Sequence, residues 1–461
     1  MAIVGCSSET AENEGSGAAT VENVLLVVID TLRADALGCY GASEGASPAL
    51  DRFAESALRF EAAFAQATRT HPAMASMLTG LYPPNHGALT QGARLRSGVL
   101  PLSALLQASG LSTGLFAANV CALQDRPQTV FSMGWDELFC GMDLDQEQWL
   151  WDRAVTDAAT VWIGEQAGPW FALLHLMDPH AEHRPSPKHW DYDDRPVPNK
   201  YKQALISSEF ESRGERPDDA YLSELKQLYA AEVLGVDHLL GDLLAHVNAS
   251  PDADRTAVII TADHGEELFE SWVKSGHGQS LTDWVLQVPL LVRLPGVEPS
   301  VVGRMVETLQ ITPTVLEALE IAAPVGFDGP SLLAARKGRG RAVSFSGDVG
   351  TLTQGQWRVW RRLPTLSRYS SIAKTDAQEK LLAGAPWYHR ELMLASREEF
   401  RVDVENFLLL SESNNIKRAR RMSAELFEIA DRSSHLEAAP APADPELLEQ
   451  LKALGYSESD F

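Results

Sequence analysis

NVLLVVID, Asn23 to Asp30, is a valine- and leucine-rich run with no polar residue between its first and last members. A strand with one face in water alternates apolar and polar residues. An unbroken apolar run reads instead as a parallel strand covered on both faces. The aspartate that closes it then stands at the carboxyl end of the strand, where open α/β sheets collect their sites. Similar runs recur as TGLFAAN (Thr113 to Asn119), WFALLHL (Trp170 to Leu176), TAVIITAD (Thr256 to Asp263) and VPLLVRL (Val288 to Leu294). Helical patterns separate them: PALDRFAESALRF (Pro48 to Phe60), opened by Ser47-Pro48, then Tyr221 to Val247 and Thr308 to Leu319. Strand alternating with helix predicts an α/β sandwich, a mostly parallel central sheet flanked by helices.

Outward from this core, the organisation changes at both ends. Residues 1–20 read as a disordered leader in which Ile3-Val4-Gly5-Cys6 resembles a lipoprotein box, without the charged and long apolar regions that precede one. If that box is real the protein is extracytoplasmic, periplasmic or lipid-anchored; otherwise it is cytoplasmic. Residues 21–325 read as the catalytic domain. Within it, Arg184 to Arg216 is rich in Pro, Asp and Lys and reads as a surface insertion suited to a lid or a substrate-selecting loop. Residues 326–461, with the short strands RAVSFSG, QWRVWRR and ENFLLL and a last helix DPELLEQLKALGY, read as a smaller α+β subdomain.

With 461 residues, 45% of them hydrophobic, the chain can bury a large core. No apolar run reaches the ~18 residues of a membrane-spanning helix. A formal net charge of −24 excludes a general binder of nucleic acid or anionic membrane. An anionic substrate would need a local positive site, which a metal ion supplies. The four cysteines, Cys6, Cys39, Cys121 and Cys140, lack a Cys-x-x-Cys spacing, so neither a zinc ribbon nor a disulfide scaffold is indicated.

Three strands end in polar residues: Asp30, then His175-x-x-Asp178-Pro179-His180, then Asp263-His264-Gly265. Each acid alone reads as a cap or turn residue. Together, at the carboxyl ends of strands in one sheet, Asp30, Asp263 and His264 are candidates for a single metal site.

Four motifs extend this pattern: VLLVVIDTLRADALGCYG, THPAMASMLTGLYPPNHG, LLHLMDPH and ITADHGEEL…GHGQSLTDWVLQVPLLVRLPG. In this order they resemble the sulfatase family of the alkaline phosphatase superfamily, over Asn23 to about Pro295. ELFEIADRSSHLE…LKALGY resembles that family's closing strand and helix. The resemblance implies an ester hydrolase with the family's fold, and it places Thr70 where classical members carry the Cys or Ser that becomes formylglycine. Thr cannot form that aldehyde because of its extra methyl group. Relatives that use an unmodified Thr or Ser in phosphate transfer fit better, with Thr70 as nucleophile and metal ligand beside Asp30, Asp263 and His264. Pro72 matches the classical motif, whereas Ala73 and Met74 replace its Ser and Arg.

Other departures carry consequences. Thr31 follows Asp30 where the family has a second Asp. One imidazole beside two carboxylates suits Mn²⁺ or Zn²⁺ better than Ca²⁺. The family's Gly-Lys-x-His segment is missing, and Asn119 near that place reads as structural. His180 matches a family histidine at the ester or leaving oxygen, and His277 stands near a family Lys or His on the transferred group, so either is a candidate general acid. Lys274 is an alternative cation, and His86 reads as a turn stabiliser. A second metal on Asp178, His180 and His277 is a weaker alternative, because the ligand spacing differs from that of two-metal phosphodiesterases.

The expected function is metal-dependent hydrolysis of an anionic ester, small or linked to glycan or lipid, with phosphodiester, phosphonate or phosphomonoester preferred over sulfate. A sulfatase or a phosphotransferase would use the same site. A catalytically degenerate binding protein is the alternative from a different class. The oligomeric state is not legible.

Overall fold

The computed structural model describes residues 20–144, 150–191, 193–194, 210, 215–270, 275–278, 280–323, 326–334, 340–347, 349–355, 357–363, 392–396 and 413–431. The leader with Cys6, most of the Arg184–Arg216 insertion, Lys274, ENFLLL and the last predicted helix fall outside them.

The main sheet contains β1 (Asn23–Ile29), β2 (Leu58–Phe64), β3 (Ser112–Ala117), β4 (Glu137–Cys140), β5 (Trp170–Leu176) and β6 (Thr256–Thr261). A two-residue hairpin, β7 (Glu267–Leu268) with β8 (Ser275–Gly276), leads back to β9 (Gln287–Val288), β10 (Leu290–Arg293) and β11 (Ser300–Glu307) of the main sheet. The strand order is β11-β2-β10-β6-β1-β5-β3-β4, with β9 beside β2. The run β6-β1-β5-β3-β4 is parallel, whereas β10 runs antiparallel to both neighbours. The fold is therefore an α/β sandwich with a mostly parallel central sheet and flanking helices.

β1 sits at the centre of that sheet, and Val24 to Ile29 are fully buried, as an unbroken apolar run requires. Its register sets Val28 beside both His175 of β5 and Thr261 of β6, so Asp30 and Asp263 emerge from the same end of neighbouring strands.

The helices are α1 (Pro48–Glu55), α2 (Thr70–Thr79), α3 (Pro83–His86), α4 (Leu102–Ala108), α5 (Trp151–Glu165), α6 (Asp219–Ala249), α7 (Asp283–Leu286), α8 (Ile311–Ala318) and α9 (Ser413–Asp431). α6 starts where Asp218 caps the backbone N–H of Tyr221, and its carboxylate Asp237 accepts from the N–H groups of Ala49 and Leu50 to fix the start of α1. The helix expected over Pro48 to Phe60 is shorter than its pattern. It ends at Glu55, and Leu58 opens β2, where backbone pairing with both β11 and β10 outweighs the local period.

A second sheet, β12 (Ala342–Ser346), β13 (Val349–Gln354), β14 (Trp357–Arg362) and β15 (Leu392–Ser396), is antiparallel throughout, and α9 packs on it. Glu425 to Asp431, expected as a strand, lies inside α9. Met422, Leu426, Ile429 and Ala430 are buried there at spacings of three and four, the stripe of an amphipathic helix. This sheet braces the approach to Thr70: Ser344 Oγ donates to Ala65 O at 2.6 Å, and Phe345 N to Gln66 O at 2.9 Å. It also braces the loop after His277. Ser346 Oγ donates to Gly278 O at 2.9 Å, and the buried Arg358 guanidinium donates to Leu281 O and Asp283 at 2.9 and 2.5 Å.

Cys140, at the end of β4, is disulfide-bonded, a pairing the cysteine spacing did not indicate. Among the described residues no helix is long and apolar enough to cross a membrane.

Candidate active site and metal centre

Asp30 follows β1, Asp263 and His264 follow β6, and Thr70 is the first residue of α2. All four side chains are fully buried. The structure brings them together. Ligand atoms of Asp30, Asp263 and His264 all lie within 4.8 Å of one another. Thr70 Oγ1 stands 3.5 Å from Asp30 Oδ2 and 3.5 Å from His264 Nε2.

The local chain is built to present these atoms. His264 Nδ1 lies 3.0 Å from Gly265 O, which selects the tautomer that donates there and leaves the Nε2 lone pair facing the carboxylates. That nitrogen is 3.4 Å from Asp263 Oδ2 and 3.9 Å from Asp30 Oδ1. Gly265 is required by space: a Cβ there would sit 2.1 Å from Trp284 O. Asp263 Oδ1 accepts from the N–H groups of His264 at 2.8 Å and Thr31 at 3.3 Å, fixing the carboxylate and keeping Oδ2 for the cluster. Thr31 itself has φ 55°, a costly conformation for a β-branched residue. Tyr229 of α6 holds it: its hydroxyl donates to Thr31 O at 3.0 Å and accepts from Arg33 N at 2.9 Å.

The residues fit a divalent cation. Asp30 Oδ1 and Asp263 Oδ2 are buried without a hydrogen-bond partner among the described residues, a costly state for carboxylates lacking a counter-charge. Burial, reinforced by Asp263 and Glu266, pushes the Asp30 carboxyl well above its usual range. Burial also pulls His264 down to about 4, keeping its imidazole neutral and available as a ligand. A cation among these groups would offset the repulsion between the two acids.

Around the cluster lie the two candidate acids. The His277 ring centroid is 4.5 Å from that of His264 and 4.8 Å from that of His180. Burial pulls His180 to about 4. The loop carrying His180 hangs on two buried carboxylates: Asp152 accepts from Met177 N and Asp178 N at 2.7 and 2.9 Å, and Glu232 from His183 Nδ1 at 2.7 Å and from Arg184 N. Asp178 is buried beside these acids, and its carboxyl is pushed well above its usual range by burial, then by Asp152 and Glu232. Among the described residues the cluster able to hold a metal is Asp30, Asp263 and His264, so Asp178, His180 and His277 do not form a second one. Asn119 donates to Met177 Sδ at 2.8 Å, a structural contact.

Several site residues escaped the sequence reading. His175, seen there only as a polar strand end, has Nε2 3.8 Å from Asp30 Oδ2. Arg69 directly precedes Thr70, and its guanidinium packs against Gly278, where a Cβ would come within 3.2 Å of it. Glu266 meets both the His180 and the His277 loops. The cation beside Thr70 and the acids after Asp263-His264 were visible as letters, but nothing in their spacing says what they touch.

Sheet order and clustered ligands together describe an α/β sandwich with a buried candidate metal site beyond the carboxyl ends of its central strands. The Sulfatase family model matches residues 22–321, and the chain belongs to the sulfatase family; it is an ester hydrolase of that family. An ulvan-active sulfatase of Formosa agariphila is 25% identical over 356 residues, covering 72% of this chain and 68% of the relative. The multifunctional alkaline phosphatase superfamily protein PehA of Trinickia caryophylli is 24% identical over 397 residues, covering 68% and 77%. The fold is shared with a phosphonate monoester hydrolase from Silicibacter pomeroyi, with TM-score 0.66 and 19% identity over 90% of this chain and 96% of that one.

Proposed function

We propose that this protein is a metal-dependent hydrolase that prefers phosphodiesters, phosphonate monoesters or phosphomonoesters to sulfate esters, with Thr70 as nucleophile. The reading rests on the position of Thr70 Oγ1, 3.5 Å from both Asp30 Oδ2 and His264 Nε2, on the first residue of α2. Asp30, Asp263, His264 and Thr70 would hold the cation, and two carboxylates with one imidazole favour Mn²⁺ or Zn²⁺ over Ca²⁺. When bound, the cation supplies positive charge that favours ionised Thr70 and a negatively charged transferred group.

The chain's own groups do the rest. The positive end of α2 favours an ionised oxygen at Thr70. Arg69, next to Thr70 in sequence, carries its guanidinium against Gly278 of the His277 loop, a cation in a protein of strongly negative net charge. His180 and His277, whose rings lie against each other and beside His264, would supply the proton to the leaving oxygen. A Thr at this position forecloses the aldehyde hydrate, which argues for phosphoryl over sulfuryl transfer. The relatives do not choose between the two, since one is a multifunctional alkaline phosphatase superfamily protein, and the ulvan-active sulfatase keeps sulfate as the second reading of the same site. The Cys140 disulfide supports an extracytoplasmic location, where such bonds persist.

The test is turnover by Mn²⁺- or Zn²⁺-loaded protein of 4-nitrophenyl sulfate, phosphate, a phosphodiester and a phosphonate monoester. A phosphorus ester should exceed sulfate in kcat/KM by about tenfold or more, a difference of about 1.4 kcal/mol. Preference for sulfate would overturn the substrate assignment.

A further inference from the structure

Glu266 is fully buried and touches both loops that carry candidate acids. Its Oε1 lies 3.3 Å from His277 Nδ1, and its Oε2 accepts from Ala181 N, next to His180, at 3.1 Å. Its own main chain is pinned, since Arg33 Nη1 donates to Glu266 O at 3.2 Å. Arg33 is held in turn by Asp35 at 2.9 and 2.8 Å and by Glu270 at 2.6 Å. The carboxylate therefore has one oxygen for each loop and little freedom to leave either.

An imidazole whose Nδ1–H points at a carboxylate has one nitrogen left, Nε2, for exchange with a substrate. Its ring plane and tautomer are then set by the acid. His180 is oriented differently: its Nδ1 faces the carbonyl oxygen of Ala181. We infer that Glu266 is a positioning residue that makes His277, rather than His180, the proton donor to the leaving oxygen. This rests on the phosphoryl-ester reading above.

The step balances. Ionised Thr70 Oγ1 forms a bond to phosphorus as the bond to the leaving oxygen breaks, and the Nε2 proton of His277 passes to that oxygen, releasing an alcohol. Neutral His277, still held through Nδ1 by Glu266, then takes a proton from water. The resulting hydroxide attacks phosphorus, the Thr70–phosphorus bond breaks, and ionised Thr70 is regenerated. His180, on the other branch of the Glu266 carboxylate, lines the same space without transferring the proton.

The experiment uses metal-loaded full-length protein and aryl and alkyl esters of one phosphonate, graded in leaving-group acidity. Glu266→Gln and His277→Asn should each lower kcat on poor leaving groups by about 100-fold, the usual scale of general acid catalysis. With 4-nitrophenolate, which departs without a proton, the loss should be severalfold at most. Metal stoichiometry should be unchanged, and the double variant should be no worse than His277→Asn. His180→Asn should lower all esters by one common factor. A loss in Glu266→Gln that is equal across the series, or that comes with loss of metal, would overturn the inference. If Glu266→Gln does not fold, His277→Asn carries the test: a flat loss there, or a graded loss in His180→Asn, overturns it equally. Wild-type protein that hydrolyses no phosphorus ester defeats the broader functional reading as well, whereas wild-type turnover with flat variant profiles defeats this inference alone.

Discussion

Thr70 Oγ1 and His264 Nε2 lie 3.5 Å apart although 194 positions separate them in the chain. One opens a helix and the other follows a central strand, so sheet topology and not local sequence makes the pair. Thr70→Ala should therefore lower kcat by about 10³-fold or more by removing the attacking oxygen. Thr70→Ser keeps that oxygen and should retain substantial turnover. The alanine variant should still fold, at a cost of about 0.5–3 kcal/mol for a buried side chain. Turnover by Thr70→Ala at the wild-type rate would remove Thr70 from the chemistry.

Asp263 divides its work between its two oxygens, Oδ1 accepting from backbone N–H groups and Oδ2 facing the cluster. Asp263→Asn can keep an acceptor for the backbone while replacing the ligand oxygen by an amide. Elemental analysis should find folded protein with most of its metal gone. Full metal content in that variant would place the site elsewhere.

Among the described residues, Tyr229 meets the cluster through the backbone of Thr31 and Arg33. Tyr229→Phe leaves the Thr31 carbonyl and the Arg33 N–H without that partner, at about 1–3 kcal/mol of stability. It should weaken metal binding by about tenfold, the lower end for outer-shell partners. Competition with a fluorescent chelator measures the change directly. An unaltered dissociation constant would show that the turn after β1 holds its shape unaided.

The parts of this arrangement legible in the sequence are those that repeat along the chain. β1 and β5 match their apolar runs because strands covered on both faces are built almost wholly of apolar residues, His175 near the site end of β5 being the polar exception. Asp30, Asp263 and His264 were legible because each closes such a run. Tyr229 was not. Its place in the apolar stripe of α6 predicts burial, and nothing local tells that its hydroxyl meets a carbonyl 198 positions away. Glu425 to Asp431 was expected as a strand only from the resemblance to the family's closing strand and helix; here it lies in α9, where Leu426, Ile429 and Ala430 bury the apolar stripe of a helix.

His86 offers a test of the scaffold beneath Thr70. It is fully buried, its Nδ1 accepts from Ala88 N at 3.1 Å, and its Nε2 lies 3.0 Å from Ser76 Oγ in α2. Accepting at Nδ1 requires the neutral ring. Burial, then His71 and Arg96, lowers its pKa from 6.5 to about 3. The sign follows: between these values the unfolded chain binds a proton that the folded one refuses, so stability falls as pH drops from 6.5 towards 3. At about 1.4 kcal/mol per pKa unit, the loss is on the order of a few kcal/mol across that window. His86→Gln keeps polar atoms without titrating. At pH above neutrality it should be less stable than wild type by about 1–3 kcal/mol, the cost of imperfect packing and hydrogen bonds. On acidification its stability should fall less steeply, and the gap should narrow or reverse. Urea unfolding at a series of pH values reads both slopes, and parallel slopes would mean that the His86 ring is not the group that titrates.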